Sequence, residues 1–160
     1  MNVRRATPAD LEPLLEIYAY ARAQMKLNGN PLQWKDNRPS RAVVAGDIER
    51  GNSYVIEADG APCGVFALIF GEEPTYRSIE GKWKNDAPYG TIHRIAGNGR
   101  VKGIFRICLE YCERQISNLR IDTHRDNKIM RHLIEKSGFE QCGIVYVDDG
   151  TPRIAYQKVV

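Results

Sequence analysis

Ala96-Gly97-Asn98-Gly99-Arg100-Val101-Lys102-Gly103-Ile104-Phe105 decides how the rest of the chain is read. Upstream, Thr91 to Ala96 has the character of a strand. Downstream, Val101 to Glu113 repeats apolar residues at Ile104, Ile107, Cys108, Tyr111 and Cys112, the spacing of a helix with one buried face. The ten residues therefore form a strand-to-helix turn. The start of a helix carries free N–H groups and a partial positive charge, which suits a phosphate. Gly97, Gly99 and Gly103 allow the backbone to turn and to approach a ligand closely. Arg100 and Lys102 add positive charge. Neither the G-x-x-x-x-G-K-[ST] spacing of a phosphate-binding P-loop nor the G-x-G-x-x-G of a dinucleotide fold is present. Taken alone, the stretch is equally a plain glycine-rich turn with two solvated basic residues.

Working outward, the elements alternate. Asn2 to Ala6 reads as a first strand. Thr7-Pro8-Ala9-Asp10 is a helix start, with Thr7 as cap and Pro8 at the first helical position. Leu11, Leu14, Leu15, Tyr18 and Met25 give that helix one apolar face, and Asn28-Gly29-Asn30-Pro31 ends it. A second helix runs from Ser40 to Gly51. Tyr54 to Ala58 and Cys63 to Phe70 form a hairpin around Asp59-Gly60. Gly71 to Tyr89 is a long polar connection. Beyond the glycine-rich turn, Leu119 to Thr123 is a strand and Asn127 to Ser137 a helix closed by Gly138. Gly143 to Val147 and Arg153 to Lys158 form a last hairpin. The order is β-α-α-β-β-β-α-β-α-β-β, an α/β (α+β) domain with a mixed sheet of about seven strands and four helices.

The bulk properties fit one domain over residues 1–160. A chain of this length holds one core and is too short for two comfortable ones. With 42% hydrophobic and 27% charged residues it is ordinary for a globular protein, which argues against disorder. A net charge of +3 is too weak to argue for nucleic acid. Arg120, Arg125 and Arg131 accompany no recognition motif, so they read as solvated surface residues. No apolar run is long enough for a membrane span. Arg4, Arg5 and Asp10 at the start argue against a cleaved signal, so a cytoplasmic protein is expected. Cys63, Cys108, Cys112 and Cys142 form no C-x-x-C pair and read as free thiols, and no metal site is expected.

Two motifs at a set distance sharpen the reading. Arg100-x-x-Gly103 at a strand-to-helix turn resembles the [RQ]-x-x-G-x-[GA] acyl-CoA motif of the GNAT superfamily of N-acetyltransferases. Farther on, Asn127-x-x-Met130-x-x-Leu133-x-Glu135-Lys136-x-Gly138-Phe139 resembles that superfamily's second signature. The element order agrees over nearly the whole chain. The resemblance implies a GNAT acyl-CoA N-acyltransferase fold and acetyl transfer from acetyl-CoA, as cosubstrate, to a primary amine by direct attack. It implies two central parallel strands that splay, with the pantetheine arm pairing with Ile95 and Ala96. Arg100, Val101, Lys102, Gly103, Ile104 and Phe105 would hold the pyrophosphate, and Asn127 would touch the pantetheine arm. The acceptor would be a small-molecule amine or a peptide. Sheet-edge pairing into a homodimer is common in the superfamily.

The sequence departs from the pattern twice. Phe105 stands where Gly or Ala is usual, so the phosphate cradle is expected to be reshaped. Ile134 stands where a Tyr often protonates the leaving thiolate. These departures also suit a GNAT-fold module that binds acyl-CoA as a sensor or partner without turnover. For an active enzyme, His93 and His124 lie near the splayed strands as candidate bases. His124 is preferred because ligands sit at the ends of parallel strands. Tyr146 is the candidate replacement acid. Trp34 follows the first helix, where this fold borders its acceptor pocket, and Tyr76 and Trp83 lie in the long connection. The three aromatics either line an acceptor site or anchor loops.

Overall fold

A computed structural model describes residues 1–160. The chain runs through β1 (Asn2–Arg5), α1 (Leu11–Leu27), α2 (Arg41–Glu49), β2 (Ser53–Ala58), β3 (Ala61–Phe70), β4 (Glu80–Gly81), β5 (Gly90–Gly97), α3 (Ile104–Gln115), β6 (Asn118–Thr123), α4 (Lys128–Lys136), β7 (Glu140–Tyr146) and β8 (Pro152–Val159). All eight strands belong to one sheet in the order β1-β2-β3-β5-β6-β8-β7-β4. The extra strand over the expected seven is β4, two residues inside the long connection that pair with Ile144 and Gly143. Nothing in the polarity of 71–89 marks a strand that short.

The start of the chain is built as its residues dictate. Pro8–Asp10 makes a single 3-10 turn before α1. The Asp10 carboxylate accepts from the Thr7 N–H at 2.7 Å and from both Arg4 terminal nitrogens at 2.8 and 2.9 Å. The Arg4 guanidinium holds this buried carboxyl down at about 2. At the other turn of interest, α3 begins at Ile104 rather than Val101, because Gly103 takes a left-handed φ of +81° and interrupts the helix.

Only β5 and β6 are parallel, and only at Gly90↔Leu119 and Thr91↔Arg120. Past those pairs the strands part. The cause lies in β5. Against β3, Val65 faces Ala96 and Ala67 faces His93, so β5 carries one residue too many and bulges. Arg94 sits in the bulge with φ of +52°, rare for a residue with a Cβ. Three contacts hold it there. Its guanidinium makes two 2.8 Å bonds to Asp47 on α2, and its carbonyl accepts from the buried Tyr18 hydroxyl of α1 at 2.7 Å.

Helices cover both faces. Leu14, Ile17, Tyr18, Val44 and Ile48 of α1 and α2 pack with Val55 and Val65. On the other face, Phe105, Cys108, Leu109 and Cys112 of α3 and Ile134 of α4 pack with Phe66, Leu68, Ile92 and Ile121. All four cysteines are free, with Cys63, Cys108 and Cys112 buried. No helix is long and apolar enough to cross a membrane, and no His/Cys/Asp/Glu cluster is arranged to hold a metal ion. One expectation is overturned. Arg120 is not on the surface but 4% exposed, its guanidinium 4.0 Å from the Trp83 ring and 3.9 Å from the Tyr89 ring. This sandwich clamps the 71–89 connection to β6.

Candidate active site: two clefts meeting between splayed strands

The gap between β5 and β6 opens to both faces. On the α3 side lies a cleft of about 680 Å³. On the opposite face lies a cavity of about 550 Å³. Met25, Ile95, Asn127 and Met130 line both, so the two spaces adjoin where the strands part.

The first cleft contains most of the glycine-rich turn: Ile95, Ala96, Gly97, Gly99, Val101, Gly103, Ile104 and Phe105. A Cβ on Gly103 would meet nothing nearer than an Arg106 nitrogen at 3.8 Å, so the space before the first turn of α3 is open. That turn also lacks a side-chain cap. Its neighbours are capped: Ser40 accepts from Val43 N–H at 3.2 Å in α2, and Asn127 accepts from Met130 N–H at 3.1 Å in α4. The free amides of α3 thus face a space that an anion fits. Phe105 does not fill it, since its ring is 5% exposed and packs in the core beneath α3. Arg100 and Lys102 are exposed on the turn and do not line the cleft. The basic residues that do are Arg106, Lys128 and Lys136. Arg106 lies three residues past Gly103, on the same helical face, which is the signal that could have found it.

Asn127 sits between the clefts with both ends of its amide engaged. Its Oδ1 caps α4, which fixes its Nδ2 as the donor to Gln33 Oε1 at 3.0 Å. Gln33 Oε1 also accepts from Asn30 Nδ2 at 2.9 Å and Thr123 Oγ1 at 3.3 Å. Gln33 thus ties the α1–α2 connection to the ends of β6 and α4, a role no motif announces.

The second cavity contains His93 and Trp34 but not Tyr76, Trp83, His124 or Tyr146. His93 Nε2 lies 3.2 Å from Glu73 Oε2. The bond to His93 is the main reason the Glu73 carboxyl is held at about 2. Glu73 was invisible in the sequence because it lies 20 residues from His93, in the connection that leaves β3, the strand beside β5. His124, favoured by its strand-end position, is 6% exposed, and its Nδ1 accepts from the Asp126 N–H at 3.0 Å. Burial pushes its pKa down, and the Arg153 charge adds to this. Tyr146 is exposed at the far end of the sheet, its hydroxyl bonded to Glu80 and its pKa raised by that carboxylate. Tyr76 is buried and donates to Asp122 at 2.6 Å, and Trp83 Nε1 donates to the Tyr76 carbonyl at 3.1 Å. These two anchor the loop behind His93, whereas Trp34 packs edge-on against Tyr18 and borders the cavity. Ile134 is completely buried, so the usual acid position faces the core.

A GNAT-family acetyltransferase from Streptococcus agalactiae has 34% sequence identity, with 99% of this chain and 95% of that one covered and a TM-score of 0.89. The chain belongs to the GNAT family of acetyltransferases. The GNAT fold recurs at lower identity. A GNAT acetyltransferase from Listeria monocytogenes aligns at 20% identity over 99% of this chain and 94% of that one, with a TM-score of 0.75. A ribosomal-protein-alanine N-acetyltransferase from Brucella melitensis aligns at 23% identity over the whole of both chains, with a TM-score of 0.65. No protein-family model matches the chain, and no curated protein does.

Proposed function

We infer that residues 1–160 act as one acetyltransferase domain that moves an acetyl group from acetyl-CoA to a primary amine. The observation that carries this reading is the meeting of two clefts at Ile95, Asn127, Met25 and Met130. One has the open, uncapped helix start that suits a pyrophosphate, with Arg106, Lys128 and Lys136 for further phosphate charge. The other has a histidine–carboxylate pair. Acetyl-CoA supplies an activated acyl group as a thioester. The chain's own contribution is to bring an amine to that group and to take its proton.

His93 is the base this geometry favours. It lines the acceptor cavity, and Glu73 both orients the ring and stabilises the imidazolium formed when the proton is taken. His124 has a carboxylate near it, Asp126 at 3.6 Å, but it lies outside the cavity, and its Nδ1 is taken up by the Asp126 N–H. With Ile134 in the core and Tyr146 spent on Glu80, water is the remaining proton source for the departing thiolate.

The test is free-thiol release from acetyl-CoA with a panel of primary amines, run beside melting curves with and without CoA. Stabilisation by CoA together with amine-dependent thiol release is expected. Stabilisation without release from any amine would leave the sensor reading in its place.

A further inference from the structure

Three arginines line the acceptor cavity: Arg38, Arg94 and Arg153. Arg38 pairs with Asp148 at 2.7 Å, and Arg94 pairs with Asp47. Arg153, at 5% exposure, makes no ion pair. Its Nη1 donates to Thr151 Oγ1 at 3.0 Å and to the Pro152 carbonyl at 2.9 Å, and its Nη2 donates to the Gln33 carbonyl at 3.1 Å. Three of the five guanidinium donors are thereby used, all on neutral oxygens. Nε and one Nη2 hydrogen have no protein acceptor. A buried cation with no paired counter-ion is costly, and burial does push its pKa down, with Arg38 adding to this and the carboxylates of Asp122, Asp149 and Asp148 acting against it from beyond pairing distance.

The cavity's carboxylates are distributed unevenly too. Asp148 belongs to Arg38 and Glu73 to His93. Asp122 has only the neutral Tyr76 hydroxyl. One cavity of about 550 Å³ therefore holds a free cation at the start of β8, a free anion on β6, and a His–Glu pair toward β5. That is the complement of a small zwitterion. A diamine would leave Arg153 unanswered, and a simple amine would use only one side.

We propose that the acceptor is a small amino acid, an amine that also carries a carboxylate, with the carboxylate on Arg153 and the amine between Asp122 and the His93–Glu73 pair. This rests on the acetyl-transfer reading and names the substrate class within it. A carboxylate takes up two guanidinium donors at once, which gives orientation as well as affinity. The amine is then turned toward β5, where the strands part and the two clefts adjoin.

The experiment is thiol release from acetyl-CoA with each common L-amino acid beside its own carboxamide and its decarboxylated amine. For the best amino acid, kcat/KM should exceed that of its carboxamide by roughly 10–100-fold, the worth of a charged hydrogen bond. Arg153→Met should bring that ratio close to one. Should that variant fail to fold, Arg153→Lys, which keeps the charge but loses the two-pronged geometry, should lower the ratio part-way. A wild-type ratio near one, a preference for diamines, or a ratio unmoved in a folded Arg153 variant would overturn the proposal while leaving acetyl transfer intact. No thiol release with any amine would instead overturn the acetyl-transfer reading, and this inference with it.

Discussion

The cleft beside α3 is lined by Gly97, Gly99 and Gly103, by apolar side chains and by a few charges at Arg106, Asp126, Lys128 and Lys136, whereas the cavity opposite gathers more ionisable side chains, Arg38, Glu73, His93, Arg94, Asp122, Asp148 and Arg153, from separated parts of the chain. Glycines shape the first. Its anion-binding capacity comes from free amides at a helix start, which any sequence with the right turn supplies. Paired side chains shape the second: the His93–Glu73 hydrogen bond and the ion pairs of Arg38 with Asp148 and Arg94 with Asp47. A backbone cradle suits a ligand common to a whole family. A side-chain cavity suits an acceptor that differs from one member to the next. Under the proposed acetyl transfer, the first would serve the shared cosubstrate and the second the acceptor.

If that division holds, variants on the two faces should fail in different ways. The largest effect belongs to His93→Ala, which should lower the thiol-release rate by roughly 10²–10⁴-fold. Stabilisation by CoA should persist, since His93 lines only the far cavity. His124→Ala should stay close to wild type in rate. A rate collapse in His124→Ala with His93→Ala active would reverse the assignment.

Next comes Gly103→Val. At 100-fold over its dissociation constant a ligand adds about 2.7 kcal/mol to stability, and this variant should lose most of that gain. The side chain would stand in the open space before α3. The left-handed φ of +81° would also cost the unliganded fold roughly 1–2 kcal/mol. The shift on adding CoA must therefore be read against the variant's own melting curve. An undiminished shift would put the pyrophosphate elsewhere.

Gln33→Leu probes the join between the faces. It strips an acceptor from Asn30, Thr123 and Asn127 at once. A stability loss of about 1–3 kcal/mol is expected, with weaker CoA binding and slower turnover together. A loss confined to one face would show that Asn127 is held without Gln33.

The smallest effect is in acid. The Glu73 carboxyl is held below its ordinary 4.5, at about 2, by His93. A depressed carboxyl stabilises the fold fully above its unfolded value and loses that contribution as pH falls through its folded value. Stability from Glu73 should thus fade as pH falls from about 4.5 toward 2. Glu73→Gln should remove that part of the acid dependence in pH-resolved melting. An unchanged acid profile would deny the pairing with His93.

The same contrast explains what could be read from the residues alone. The turn at 96–105, the cap at Asn127 and the element order are local patterns, and local patterns survive in sequence. The helix start is only partly local: the apolar spacing runs the helix back to Val101, and its true opening after Gly103 comes from the left-handed φ of +81° there. Glu73, Asp122, Gln33 and Arg153 converge only after the sheet has formed, from four separated segments with no shared spacing. Arg120 misleads for a related reason. A charge on a short strand reads as solvated, until Trp83 and Tyr89 arrive from a loop to cover it. The preference for His124 followed a rule about strand ends. The bulge at Arg94, which bends β5, could not be foreseen from that rule.

Direct transfer across the gap between β5 and β6 is the central claim, and initial rates test it most directly. Thiol release should be measured over a grid of acetyl-CoA and amine concentrations. If both clefts are filled before the acetyl group moves, the double-reciprocal lines intersect. Parallel lines, the mark of an acyl group parked on the protein between half-reactions, would contradict the account.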